Sequence, residues 1–221
     1  MKRVFLLVEG QTEETFVRDL LVPHYARIGL FLTPIIVRTS KSHVGGLRSY
    51  AKVKGQLIRL CRQDRTTVVS TMMDLYGLPT DFPGKASPAY PREGSGAKKA
   101  EFIETAWARD LNESNFLPHL MVHEFEALLF VEPNRFADWT TSGSVVQELV
   151  RIAKATATPE EINDGPNTAP SKRIMRLMPN FEKTFHGPLI AADTGLDALR
   201  RSCTHFSAWL GRLEALVPGA N

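Results

Sequence analysis

Four short β-type runs alternate with stretches of helical period over roughly the first 130 residues, and this alternation restricts the fold more than any other feature. Val4 to Val8 is a continuous apolar run that stops at Glu9-Gly10. Runs of that kind form strands buried on both faces. Phe31 to Val37 is a second run, and Pro34 inside it points to an edge strand. Thr66 to Met73 (TTVVSTMM) is a third, ended by Asp74, and Leu117 to Val122 is a fourth. Helices are expected between them. One covers 12–28, with Thr12 as N-cap and a kink at Pro23; the others cover 47–63 and 98–111. After about residue 133 only helical pieces follow, at 144–154, from Thr158, at 171–177 and at 196–216. Such an order predicts an α/β domain over 1–132, with a mostly parallel sheet flanked by helices. A helical C-terminal extension over 133–221 should pack on it.

Composition narrows the class. Apolar residues make up 43%, enough for a full core, and the two cysteines, Cys61 and Cys203, sit in no metal-binding or redox spacing. A reducing compartment is expected. The N-terminal apolar run is too short for a signal peptide core, and no run is long enough to span a bilayer. The expectation is a cytoplasmic protein with no membrane partner.

Ligand sites in parallel sheets lie outside the carboxyl ends of the strands. Glu9 ends the first strand and Asp74 the third, so both should project from one edge. An acid there escapes the desolvation cost it would meet inside the sheet. Converging carboxylates suit a hard divalent ion such as Mg²⁺, which takes oxygen ligands and keeps several waters. The candidates are Glu9, Glu13 and Asp74, joined by Glu124 or Glu126 from HEFEALLF. That stretch is not a zinc helix, because Ala127 stands where HExxH needs its second histidine. Glu124 and Glu126 are two apart and should face different sides of a helix, so one of them, Glu124, is expected at the site. Glu13 and Glu14 also suit the first turn of a helix without any chemistry.

Positive charge is concentrated elsewhere. Between Arg38 and Arg65 eight Lys or Arg face a single acid, Asp64, whereas the whole chain carries only +3. On a helical wheel Arg48, Lys52, Arg59 and Arg62 share one arc opposite Tyr50, Val53, Leu57 and Cys61. This ridge fits a phosphate backbone, and nearly as well a nucleotide or an acidic protein surface. A second cluster, PSKRI, places Lys172 and Arg173 in the first turn of a helix, where cations oppose the dipole unless they serve an anion. Asn163 and Asn167 could line the same place. A Walker loop is excluded: Gly84-Lys85 is followed by Ala86, not Ser or Thr.

VEGQTEE at the end of the first strand, with an acid after the third, resembles the Toprim fold of topoisomerases, primases and OLD-type nucleases. More narrowly, the chain resembles a bacterial Toprim-like family of unknown function, family 4276. The likeness lies in VEGQTEE, STMMDLYGLPTDFPG, VHEFEALLF, EINDGPNTAPSKRI and SCTHFSAWLGRL. It implies Mg²⁺ or Mn²⁺ at Glu9 and Asp74, with Glu124 as a further ligand. It also implies catalytic roles for Glu9, Glu13 and Asp74, phosphodiester hydrolysis of DNA or RNA, and an ATPase partner in phage defence; Lys172 and Arg173, from their own cluster, are expected to help hold the scissile phosphate. One departure stands out. The second acid of the family's DxD pair falls on Tyr76, a poor Mg²⁺ ligand; Asp81, Glu124 or Glu126 are the available substitutes. Tyr76 therefore also admits a catalytically degenerate module that binds nucleic acid or an ATPase.

Overall fold

All the strands run parallel in one five-stranded sheet, as the alternation of elements requires. The computed structural model describes residues 1–37, 47, 49–162, 165 and 167–217. The strands are β1 (Lys2–Val8), β2 (Leu30–Ile36), β3 (Val68–Asp74), β4 (Phe116–Leu117) and β5 (Leu120–Met121). Their order is β2-β1-β3-β4, with β5 also pairing β3. Pro34 indeed lies on an edge, where its missing N–H costs no ladder bond. The expected fourth strand is split in two. Pro118 cannot donate, and the gap is closed by Thr71, whose Oγ1 donates to the His119 carbonyl at 2.8 Å and accepts from its N–H at 2.9 Å.

Strand pleating divides the core between two faces. Val4, Leu6, Val8, Val68 and Met72 lie in one cluster; Leu7, Val69 and Met73 lie in the other. The second cluster is covered by α3 (Tyr50–Gln63) and α4 (Gly96–Leu111). Helix α1 (Gln11–Phe16) packs in the first cluster. So do the helices that follow residue 133, through Phe136, Leu149, Ile174, Ile190, Leu199, Phe206 and Trp209. They share this core with β1. These are α5 (Gly143–Lys154), α6 (Pro170–Leu177), α7 (Lys183–Thr194), α8 (Leu196–Ser202) and α9 (Thr204–Glu214). No helix among the described residues is long and apolar enough to cross a membrane.

Several local expectations are corrected. The first helix starts at Gln11 with Gly10, not Thr12, as N-cap. It does not simply kink at Pro23. A π-helical turn (Val17–Leu21) precedes the proline and leads into α2 (Val22–Ala26), absorbing the hydrogen bond that Pro23 cannot make. The expected single helix over 196–216 breaks at Cys203. There Glu160 accepts the N–H groups of His205 at 3.0 Å and Phe206 at 2.9 Å, starting a new helix. Helix α7 had no counterpart in the sequence reading. Gly187 and Pro188 inside it obscure the helical pattern.

Candidate metal centre

β1 and β3 end side by side, with Val8 opposite Met72. The Glu9 N–H donates to the Met72 carbonyl at 3.2 Å. Its side chain then turns across, and Oε2 accepts the Asp74 N–H at 3.1 Å. The carboxylate thus continues the ladder by one rung beyond the strand. Gly77 lies beside it, where even a Cβ would make only an ordinary 3.7 Å contact with Glu9 Oε1. Asp74 in turn accepts the Phe125 N–H on Oδ1 at 2.9 Å.

Three more acids complete the group. Glu13 reaches back to the Gly10 N–H at 2.9 Å, which fixes it in the first turn of α1. Glu124 accepts the Ser171 N–H, at the start of α6, at 3.0 Å. Glu126 pairs with Lys183 Nζ at 3.1 Å. Glu124 sits in extended backbone just before a 3₁₀ helix (Phe125–Phe130). The spacing argument for an α-helix therefore does not apply, and both Glu124 and Glu126 join the cluster.

These five carboxylates feel one another. Burial raises the pKa of Glu9, and the charges of Glu126 and Glu124 raise it further, against the Asp74 hydrogen bond and Lys183. Glu13 is pushed up to about 7 by burial, with Glu9 and Glu126 adding to it. Asp74 is raised well above the carboxylate range, first by burial and then by Glu9, Glu13, Glu126 and Glu124. Glu126 is raised by burial and by Glu124, with Lys183 opposing. Burial alone would lower Lys183, but Glu126, Glu124 and Asp74 outweigh it and hold the ammonium above its usual range. Among the described residues one cation, Lys183, faces three buried acids (Glu13, Glu124, Glu126) and two half-buried ones (Glu9, Asp74), a negative excess once they ionise. A divalent cation satisfies that excess, and carboxylate oxygens are its natural donors. Backbone N–H groups orient Glu9, Asp74, Glu13 and Glu124 in advance. All-oxygen donors are the chemistry a hard divalent ion takes, but among the described residues no three of these acids bring ligand atoms within 4.8 Å of one another.

The other expected residues lie elsewhere. Tyr76 is 43% exposed, and its N–H bonds the His123 carbonyl at 3.1 Å. Asp81 does not replace the missing acid, because it accepts the Tyr50 N–H at the start of α3. Lys172 is exposed. Arg173 donates to the Thr168 carbonyl at 2.5 Å and has its pKa lowered by burial and by Arg176 and Arg151. The cation that reaches the acids is Lys183. On α3, Lys52, Arg59 and Arg62 are exposed as the wheel predicts, but the ridge is not free of acids. Arg62 pairs with Glu113, just beyond α4, at 2.6 Å; Lys54, off the arc, pairs with Asp110 at the end of α4 at 2.9 Å. Arg38, Lys41, Arg48 and Asn163 lie outside the described residues.

The model of a family described as "Domain of unknown function (DUF4276)" matches residues 8–214. Among solved structures, the C-terminal region of the Burkholderia pseudomallei OLD protein is similar at 14% identity and a TM-score of 0.48, over 98% of this chain and 99% of that one. The C-terminal region of the Xanthomonas campestris pv. campestris OLD protein is similar at 14% identity and a TM-score of 0.46, over 98% and 96%. No curated protein matches.

Proposed function

The chain belongs to the DUF4276 family, and from that premise we propose that it is a divalent-metal-dependent nuclease of Toprim type that hydrolyses phosphodiester bonds in DNA or RNA. The observation that carries this reading is the gathering of Glu9, Glu13, Asp74, Glu124 and Glu126 around the carboxyl ends of β1 and β3, with Lys183 among them. A structural role would not collect five acids whose charges oppose one another. In this reading Glu9, Asp74 and Glu124 hold Mg²⁺ or Mn²⁺. When bound, such an ion neutralises charge building at phosphorus and makes water a stronger nucleophile. Glu13 and Glu126 shape the field around these ligands. Lys183, kept charged by its neighbours, faces the negative charge of a substrate phosphate. Lys52, Arg59 and Arg62 on α3 steer the nucleic-acid backbone, Arg62 from its pair with Glu113.

Residues 1–132 supply the strand-edge acids and residues 133–221 supply Lys183, so the two proposed parts act together. An ATPase, as in a phage-defence pair, is the partner class this reading carries. The second reading, a degenerate module that binds without cutting, is favoured by one observation: Tyr76 occupies the place of an acid.

The test is cleavage of single- and double-stranded DNA and RNA in Mn²⁺, by wild type beside Asp74→Asn. Cleavage by wild type that disappears in the variant supports the nuclease. Equal cleavage by both refutes it.

A further inference from the structure

A second group of metal-binding side chains lies in the core, apart from the strand-edge acids. Glu104 comes from the middle of α4, His119 from between β4 and β5, and His205 from the first turn of α9. One ligand atom from each lies within 4.8 Å of the other two. His205 Nε2 is 2.9 Å, and His119 Nδ1 3.5 Å, from the same oxygen, Glu104 Oε1. We propose that Glu104, His119 and His205 form a binding site for a transition-metal ion of the zinc class. This inference is independent of the nuclease reading.

The spacing suits such an ion. Metal–ligand bonds of about 2.0–2.1 Å in a tetrahedron place ligand atoms about 3.3 Å apart, and the two distances to Glu104 bracket that value. The donor set suits it as well. Two imidazoles and a carboxylate select zinc-like ions, whereas the all-oxygen set at the strand edge selects magnesium or manganese.

His119 supplies a second, separate observation. Its ring is 0% exposed; Nδ1 has only the 3.5 Å contact with Glu104 Oε1, and Nε2 has no hydrogen-bond partner among the described residues. Buried polar atoms left in that state are costly, and a metal bond satisfies one of them. The ring is stacked between Trp209, at 4.4 Å, and His205, at 5.1 Å. The two imidazole planes differ by 26°.

Support and access are both present. The Leu120 N–H fixes Glu104 Oε1 at 2.8 Å, an outer contact of the sort that orients ligating carboxylates. Arg212 lies 3.5 Å from the other oxygen, Oε2, and leaves the Oε1 side to the ligands. A groove of about 580 Å³ lined by Glu104, Arg109, Pro118 and Arg212 opens the Glu104 side of the group to the surface. Bound there, an ion would join α4, the sheet and α9, so it should raise thermal stability by preferring the folded state.

The experiment starts from chelator-treated full-length protein and titrates Co²⁺, then Zn²⁺. It follows visible absorption and thermal unfolding in wild type, His119→Gln, His205→Gln and Glu9→Gln. The expected result is one Co²⁺ with visible bands, displaced by Zn²⁺, and a higher Tm. Glu9→Gln should keep the bands and either histidine variant should lose them. X-ray absorption of zinc-loaded wild type should show imidazole scattering, a readout that holds even if the histidine variants fail to fold. Absence of Co²⁺ bands at millimolar metal would overturn the site. So would bands that survive both histidine changes, bands lost in Glu9→Gln, or an oxygen-only shell around the zinc.

Discussion

The Glu9 carboxylate accepts the backbone N–H of Asp74 at 3.1 Å, so one strand-end acid holds the other in place. The same oxygen acts as a strand rung and as part of a negative cluster. Those two roles can be separated by substitution.

Glu9→Gln keeps an acceptor at this position and removes the charge; Glu9→Ala removes both. We expect the glutamine variant to unfold at or above the wild-type temperature near pH 8, because it relieves repulsion among buried acids. The alanine variant should be less stable than the glutamine variant by about 1 kcal/mol, the worth of one hydrogen bond. Denaturant melts of the three proteins measure both differences.

Without divalent metal, stability should fall as pH rises. Glu9, Glu13, Asp74 and Glu126 all have folded-state pKa values above their ordinary ones, Glu13 at about 7 against 4.5. An acid of this kind binds more protons folded than unfolded, so its ionisation disfavours the fold. For Glu13 the loss runs from its ordinary value up to about 7 and is complete above it. Thermal melts in chelator from about pH 5 to about pH 8 should show Tm decreasing, and Mn²⁺ should restore most of the loss at the alkaline end. A Tm that rises across this range would contradict the charge account.

Lys183→Met leaves Glu126, which is 3% exposed, without its cation. The expected cost is about 1–3 kcal/mol, moderated by the partial exposure of the lysine. Lys183→Met combined with Glu126→Gln should recover most of that stability but not the nuclease activity. A double-mutant cycle on denaturant melts gives the coupling.

Gly187 sets how closely α7 approaches α1. A Cβ there would lie 3.3 Å from Thr12 Cγ2 and 3.5 Å from the Phe125 ring. Gly187→Leu should displace the helix that carries Lys183, costing about 1–3 kcal/mol by overpacking and weakening Mn²⁺ affinity less than loss of a ligand does. Calorimetry beside Asp74→Asn orders the two effects.

Lys52→Ala and Arg59→Ala should weaken nucleic-acid binding uniformly across sequences. Each should flatten the slope of log K against log salt by about 0.7–0.9. Arg62→Ala should change it less, since Glu113 already neutralises that guanidinium. Binding measured over a salt series tests all three.

The sheet, its parallel sense and its edge strand were legible because strand period, Pro34 and the β/α alternation are local signals. Glu9 and Asp74 were legible because an acid that ends a buried run is conspicuous. Lys183 was not, because Gly187 and Pro188 disguise its helix and its partners lie far away in sequence. Glu126 was named but set aside in favour of Glu124, because an α-helical spacing was assumed for a 3₁₀ segment. The acid that answers the basic ridge, Glu113 beside Arg62, meets α3 only through tertiary packing. The grouping of Glu104, His119 and His205 was equally hidden, since three distant elements supply it.

The most direct test of the central claim is Mn²⁺ calorimetry on wild type and on Asp74→Asn, with circular dichroism to show that both are folded. The account predicts saturable binding by wild type and at least a tenfold weaker affinity in the variant, about 1.4 kcal/mol or more. Equal affinity in the two folded proteins, or no binding by wild type at millimolar Mn²⁺, would contradict a metal centre at the strand edge.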